Sequence, residues 1–61
     1  MQPLTVTIPD AVRITGLSRS ALYVALKRRD LIALKAGRRT LLRVRDLEEF
    51  LASLPKYSGE D

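Results

Sequence analysis

The fold is decided by residues 7–29, TIPDAVRITGLSRSALYVALKRR, which read as two short helices joined by a tight turn. Thr7 is a favourable N-cap, and Asp10 is placed to reach back as the acid of a capping box. Gly16 then offers the left-handed residue that ends many helices. The pattern predicts a first helix from about Ile8 to Thr15. One face of this helix has the spacing of a core stripe: Ile8, Ala11, Val12 and Thr15.

The second helix begins almost at once. Only Leu17 separates Gly16 from Ser18, which is itself a favoured N-cap. The residues from Arg19 to Arg29 contain neither Gly nor Pro, and they predict a helix over that range. A connection this short makes the second helix leave at a steep angle, with Leu17 held beneath the turn. This is the geometry of a helix-turn-helix unit.

The two faces of the second helix differ in chemistry. One face is apolar and is expected to contact the core: Ala21, Leu22, Ala25 and Leu26. The opposite face carries Ser20, Tyr23, Val24 and Lys27. A merely solvated face usually carries pairs of Glu and Lys, whereas a hydroxyl, a phenol, a valine and an ammonium suit the edge of a DNA groove. Arg19 and Ser20 also lie in the first turn, where unbonded N–H groups favour a phosphate oxygen.

Several of these residues also have purely structural explanations. Ser18 is expected to act as a cap rather than as a DNA contact. Tyr23 either packs across the scaffold or faces the DNA groove, and in both cases its hydroxyl is free to touch a phosphate. Arg28 and Arg29 either satisfy the last carbonyls of the helix or contact DNA. Lys27 is the better phosphate candidate.

A β-hairpin is predicted after the second helix. The runs Leu31–Lys35 and Thr40–Val44 are short and rich in branched residues, so we expect two strands. One apolar side of this hairpin, formed by Ile32 or Leu34 together with Leu42, is expected to close over the helices.

The connection between these strands, Ala36–Arg39, is the second candidate contact zone. Gly37 is expected to turn the chain, with Arg38 and Arg39 standing at the tip and Lys35 just before it. Two guanidinium groups on a narrow protrusion suit phosphates or a narrow minor groove. The alternative is a turn whose charges serve only solubility.

A third helix is predicted from about Arg45 to Leu54, where Pro55 stops it. Acids gather in its expected first turn, where the helix dipole favours them: Asp46, Glu48 and Glu49. Its apolar stripe is Leu47, Phe50, Leu51 and Leu54. Residues 56–61 show no hydrophobic periodicity and contain few apolar residues. We therefore expect a domain over residues 1–55 followed by a flexible tail.

Length and composition exclude several classes of protein. With 61 residues and neither Cys nor His, the chain has one small core, no disulfide and none of the usual zinc frameworks. We expect no cofactor and no enzymatic activity. The chain lacks the Cys and His residues that many active sites use, and most of its acidic residues lie in the first turns of helices, where they favour the helix ends. The first residues lack a signal-peptide pattern, and no apolar run approaches the ~20 residues of a membrane span. A cytoplasmic protein is therefore expected.

The net charge of +4 is strongly segregated along the chain. Between Arg13 and Arg45 lie ten cations and the single acid Asp30, whereas the residues after Arg45 are mostly acidic. Such a basic segment predicts a polyanionic partner. Two alternatives to DNA binding remain: a basic amphipathic helix that lies on a membrane surface, and a protein-interaction module. In the second, the acidic third helix and tail of one copy meet the basic middle of the next.

In this order, the elements resemble the excisionase-type helix-turn-helix family, a small branch of the MerR-like winged-helix group. The matching segments are Thr7–Asp10, Gly16–Tyr23, Leu31 with Ala33–Thr40, and Asp46–Leu51. The resemblance covers nearly the whole chain, and the four segments together at this spacing are specific, although each alone is common. It implies a mostly α domain with a small β-hairpin, arranged as a winged helix-turn-helix.

The resemblance also implies a function. The second helix is expected in the major groove of double-stranded DNA, with the wing on the adjacent backbone or minor groove. Family members include phage and mobile-element excisionases, which bind repeated sites side by side, bend DNA and bias an integrase toward excision. Others are AlpA-like transcription regulators. The expected partners are thus DNA, further copies of the chain and a tyrosine integrase, in the nucleoid of a bacterium.

The chain departs from the usual family pattern at two positions. Val12 stands where a small residue such as alanine is common, which is expected to widen the helix crossing. Val24 stands where a longer polar or basic side chain is frequent, and this weakens the expectation of base readout there.

Overall fold

The computed structural model describes residues 3–57 as three helices and a three-stranded sheet. The elements follow in the order β1 (Thr5–Thr7), α1 (Ile8–Thr15), α2 (Arg19–Lys27), β2 (Ala33–Ala36), β3 (Arg39–Arg43) and α3 (Val44–Ser53). The predicted winged helix-turn-helix architecture is confirmed. Within the described range, no helix combines the length and apolar character needed to cross a bilayer. Most of the predicted tail, residues 58–61, lies outside the described residues.

The sheet is antiparallel, with strand order β1-β3-β2. The central strand β3 places Leu42 opposite Val6 of β1 and opposite Ala33 of β2. These three side chains share the face that packs on the helices, because alternate residues of a strand point to opposite faces. β1 was not predicted, since three residues are too few for an alternating pattern to be read without the partner strand.

Each element of the fold contributes to a core beneath the inner face of this sheet. Among the described residues, the buried side chains are Val6, Ile8, Ala11, Leu22, Ala25, Leu31, Leu42 and Leu47. Leu22 of α2 and Leu42 of β3 are completely inaccessible to solvent. Because so few side chains fill the core, each of them supplies a large part of the stability.

The turn between α1 and α2 is held by hydrogen bonds. Thr15 Oγ1 donates to the carbonyl of Ala11 at 2.6 Å and accepts from the N–H of Leu17 at 3.1 Å. Gly16 has a φ of 77°, and its N–H donates to the carbonyl of Val12 at 3.0 Å. Gly16 is therefore the predicted left-handed cap, and Leu17 packs beneath the turn against the core.

Thr7 caps α1 as predicted, but the expected capping box is wrong. Thr7 Oγ1 accepts from the backbone N–H of Asp10 at 3.4 Å. The carboxylate of Asp10 does not return this bond, because it accepts from Arg13 Nη2 at 2.8 Å. A cation one turn further along the same helix face offers a charge-assisted bond, which is stronger than one to a neutral N–H.

α2 is shorter than the predicted Arg19–Arg29. The helix ends at Lys27, Arg28 is its C-cap, and Arg29 leaves the helical conformation with a φ of 67°. Ala21, which was expected in the core, is exposed. It lies about 100° around the helix axis from Leu22, at the edge of the buried stripe.

The turn of the hairpin is tighter than predicted. β2 runs as far as residue 36 and β3 starts at Arg39, which pairs with Ala36. Only Gly37 and Arg38 therefore form the turn, and Arg39 is a strand residue rather than part of the tip. Gly37 has a φ of 64°, which a two-residue hairpin turn requires at this position.

Leu42 of β3 is buried as predicted, but the first strand of the hairpin has the opposite phase to the predicted one. Ile32 is 48% exposed and Leu34 is 36% exposed, whereas Leu31 is buried and Ala33 packs against the core. Residues 31–34 are all apolar, so alternation gives no phase. The pairing of Ala33 with Leu42 decides which face points inward.

α3 lies one residue earlier than predicted, and its buried stripe is narrower. Leu47 is buried and Phe50 packs against the core. Leu51 and Leu54 are exposed, because the C-terminal half of the helix extends past the small core. Of the three acids expected in the first turn, Asp46 lies there and the other two lie further along.

Candidate nucleic-acid interface

The N-terminus of α2 is built as an anion-accepting end. Ser18 Oγ accepts from the backbone N–H of Ala21 at 3.0 Å, which confirms Ser18 as the cap. The first turn contains Arg19 and Ser20 and no acidic residue, and both side chains are exposed. The N–H groups of these two residues precede the first helical hydrogen bond, and they lie at the positive end of the helix dipole. This end of α2 favours a negatively charged ligand.

The outer face of α2 is exposed and carries no acid. It consists of Ser20, Tyr23, Val24 and Lys27. Tyr23 is 51% exposed and Val24 is 52% exposed, so an aromatic ring and an aliphatic side chain are presented to solvent in the middle of this face. The opposite face of the same helix supplies Leu22 and Ala25 to the core. The helix is thereby fixed with its unusual face outward, as the sequence predicts.

The wing, defined as β2, β3 and the turn between them, carries its cations on both faces. Lys35 pairs with Thr40 across the strands, and its Nζ donates to Thr40 Oγ1 at 3.3 Å. Counting alternate residues from Ala33 places Lys35 on the helix-facing side and Arg39 of the neighbouring strand on the other side. Arg38 projects from the turn between them and is exposed. The expectation that Arg38 and Arg39 stand together at the tip is therefore wrong. Arg38 lies in the turn, whereas Arg39 belongs to β3.

Ion pairs neutralise some arginines and leave others available. In the described part of the chain, the pairs are Arg13 with Asp10 at 2.8 Å, Arg28 with Asp30 at 3.8 Å, and Arg43 with Asp46 at 2.8 Å. Arg28, a predicted DNA contact, thus has an acidic neighbour, although this exposed pair is weak. No such pair forms within residues 3–57 for the remaining predicted contacts: Arg19, Lys27, Lys35, Arg38 and Arg39.

A shallow groove of about 300 Å³ connects the helix with the base of the wing. Its lining includes Lys27 and Arg29 from the end of α2, together with Ile32 and Ala33 at the start of β2. From Ala33 to Gly37 the strand rises four residues, or about 13 Å. That length is close to the ~12 Å width of a major groove. The wing tip therefore lies about 13 Å along the strand from this groove.

An acidic groove of about 270 Å³ lies between the start of the hairpin and α3. Asp30, Asp46 and Glu49 line it, along with Ile32 and Phe50. The charge segregation of the sequence thus persists in part on the surface: the outer face of α2 and the wing tip carry cations that have no ion pair among the described residues, whereas carboxylates gather beside α3, where Asp46 pairs with Arg43. Only the basic surface suits a polyanion.

A family model described as a helix-turn-helix domain matches residues 5–55. The matched range begins with β1 and ends at the proline after α3, so it includes each element of the fold described above. No curated protein and no solved structure matches the chain.

Proposed function

The chain belongs to the helix-turn-helix domain family, a family of sequence-specific DNA-binding domains, and from this premise we propose that it is a DNA-binding protein of the MerR-like excisionase type. In this proposal α2 lies in the major groove of double-stranded DNA, and the wing contacts the adjoining backbone or minor groove. One observation carries the proposal: the acid-free outer face of α2 is exposed, and its Lys27 lines a groove shared with Ala33 at the base of the cationic wing.

Readout of base edges is assigned to the middle of the outer face. The hydroxyl of Ser20 bonds a base edge or a phosphate, and the side chain of Val24 meets a thymine methyl. Tyr23 donates its hydroxyl to a phosphate, which its half-exposed ring allows. Arg19 at the start of the helix and Lys27 at its end bind phosphates on either side of the groove.

The wing supplies further phosphate contacts. Arg38 in the turn is the foremost of these, since it projects from the tip and has no acidic partner in the described range. Gly37 lets the backbone approach the duplex closely. Arg39 and Lys35 lie on opposite faces of the wing, so they straddle one strand of the backbone or the minor groove beside it.

Burial favours DNA over a membrane surface as the partner of α2. A helix that lies on a bilayer inserts its apolar face among the lipids. The apolar face of α2 is occupied, because Leu22 and Ala25 are buried in the core. The remaining face presents hydroxyls and a cation at positions that suit phosphate.

The excisionase role adds assembly on DNA. Copies of the chain bind side by side on repeated sites, bend the duplex and assist a tyrosine integrase in the nucleoid of a bacterium. The acidic groove supports this assembly, because the exposed Glu49, which has no ion pair within residues 3–57, complements the wing cations Arg38 and Arg39 of a neighbouring copy. The alternative is a small transcription regulator that acts without an integrase.

Sequence-specific binding is tested by selecting duplexes from a random pool and measuring affinity by fluorescence anisotropy. Each changed base pair in the selected site is expected to cost about 1–3 kcal/mol. Val24→Glu places an acid in the centre of the outer face and is expected to abolish binding, whereas the neutral Val24→Gln is the matched control, which is expected to keep the phosphate-driven affinity while losing the preference for thymine at that position. Equal affinity for selected and scrambled duplexes contradicts the proposal.

Assembly is tested separately by gel shifts on one, two and three tandem sites. Cooperative binding predicts tighter binding per site as sites are added, and the near-isosteric Glu49→Gln is expected to reduce this gain while changing single-site affinity little. Equal affinity per site contradicts assembly. A recombination assay with a tyrosine integrase then separates the two roles, since an excisionase stimulates excision and a regulator does not.

A further inference from the structure

Arg29 occupies a backbone conformation that normally belongs to glycine. Within residues 3–57 it is the one non-glycine residue with a positive φ, at 67°. Its N–H donates to the carbonyl of Leu26 at 3.1 Å, and the next N–H, of Asp30, donates to the carbonyl of Ala25 at 2.9 Å. This is the Schellman arrangement, whose left-handed position is filled most often by Gly and sometimes by Asn. An arginine there is strained by its Cβ.

Within residues 3–57, no polar contact of the Arg29 side chain offsets this strain. No ion pair or side-chain hydrogen bond involves it within the described residues. The adjacent Arg28 instead has Asp30 at 3.8 Å. The cap requires a left-handed residue but not an arginine, and strained non-glycine residues are concentrated at functional sites, where a ligand is bound.

The surroundings of Arg29 indicate what that ligand is. Arg29 and Lys27 line the groove between the end of α2 and the start of β2, and its other lining residues are apolar: Leu26, Leu31, Ile32 and Ala33. Two cations that share one groove repel each other until an anion lies between them. Lys27 also belongs to the outer face of α2, so this groove opens onto the surface assigned to DNA.

We propose that this groove is a phosphate subsite, in which Arg29 and Lys27 together hold one phosphate of the DNA backbone between the recognition helix and the wing. The inference rests on the proposed function and deepens it. It assigns to Arg29 a binding role that the sequence left open. It also explains why an arginine occupies the left-handed position at the end of α2, where a glycine would be free of strain.

The decisive variants are Arg29→Gly and Arg29→Asn, because both residues tolerate the left-handed conformation. Relief of strain is expected to raise Tm by about 4–8 °C in a domain of this size. Loss of one phosphate contact is expected to lower the slope of log K against log salt by about 0.9, which weakens duplex binding about eightfold at about 0.1 M salt. A variant that is more stable and yet binds more weakly separates a ligand role from a structural one. Arg29→Lys keeps the charge and is expected to keep most of the slope.

Arg45→Ala is the matched control, since it removes one exposed cation from α3 and changes the net charge equally. It is expected to leave the salt slope close to that of the wild type. Wild-type affinity and slope in both Arg29→Gly and Arg29→Asn overturn the subsite while leaving DNA binding by the domain intact. A wild-type chain that binds no duplex overturns the proposed function and the subsite together.

Inorganic phosphate distinguishes a backbone phosphate from a free anion. In NMR spectra at constant ionic strength, duplex DNA is expected to shift the amide signals of residues 27–33 far more than inorganic phosphate does. If inorganic phosphate shifts them and the duplex does not, the groove binds a free anion, and its assignment to the DNA backbone is wrong.

Discussion

Replacement of Arg38 by alanine tests the wing contact quantitatively. Arg38 is exposed in a two-residue turn, and no ion pair within residues 3–57 involves it. Its removal therefore costs the fold little, and Tm is expected to stay within about 2 °C of the wild type, as for a surface substitution of at most ~0.5 kcal/mol. Any change in DNA affinity then belongs to the contact itself.

The size of the affinity change follows from counterion release. Each neutralised phosphate contributes about 0.9 to the slope of log K against log salt. Relative to about 1 M salt, where this contribution vanishes, the loss of one contact weakens binding about eightfold at about 0.1 M and about fourfold at about 0.2 M. The loss is expected to be similar on every duplex, because a phosphate contact carries no base information.

The assay is fluorescence anisotropy on one duplex over a series of salt concentrations. Arg13→Ala is the matched control: it removes the same charge from α1, where Arg13 is already paired with Asp10 at 2.8 Å. Arg38→Ala is expected to flatten the salt dependence and Arg13→Ala to leave it nearly unchanged. If the two variants lose affinity equally, only net charge matters. If Arg38→Ala binds as well as the wild type at low salt, the wing does not touch DNA.

Four further substitutions test the core, the turn and base readout. Leu42→Ala empties a completely buried site and is expected to cost about 3–5 kcal/mol, so thermal melting followed by circular dichroism should show a largely unfolded chain. In Gly16→Ala, the added Cβ has no atom within 4 Å, so the loss of stability comes only from the left-handed φ of 77°. The expected loss is about 1 kcal/mol, or 4–8 °C in Tm. A much larger loss contradicts the open space around this turn. Ser20→Ala and Val24→Ala are expected to change the bases preferred in a binding selection, by about 1–3 kcal/mol per contact, and unchanged preferences rule out their readout roles.

The features predicted correctly from sequence are those set by local chemistry. Thr7 and Ser18 cap their helices, and Gly16 ends α1 in the left-handed conformation, because each solves a backbone hydrogen-bonding problem that neighbouring residues define. The outer face of α2 was also predicted. Its hydrophobic period places Leu22 and Ala25 inward, and this fixes the direction of the other side.

The features missed depend on partners distant in sequence. The strand β1 is defined by its ladder with β3, and the phase of the hairpin by the pairing of Ala33 with Leu42. The end of α2 carries no glycine signal, because Arg29 takes the left-handed conformation that glycine usually marks. The buried Leu31 follows this turn and donates its N–H to the carbonyl of Ala25 at 3.2 Å, so packing of the hairpin decides where the helix stops.

The candidate site could be predicted as a set of residues but not as an arrangement. The sequence identifies cations and a chemically unusual helix face. It does not reveal that Arg28 has Asp30 as a neighbour, that Arg39 belongs to a strand, or that Arg29 lines a groove with Lys27. These relations arise from the end of α2 and from strand alternation, which tertiary packing sets.

The central claim is that one duplex touches the outer face of α2 and the wing at the same time. The most direct measurement is an NMR titration of the labelled chain with a selected duplex, following the backbone amides. Amides of residues 19–27 and of residues 35–39 are expected to shift in parallel and to saturate at the same DNA concentration, while those of residues 47–53 in α3 move little. Shifts confined to one of the two basic segments, or centred on α3, contradict the account.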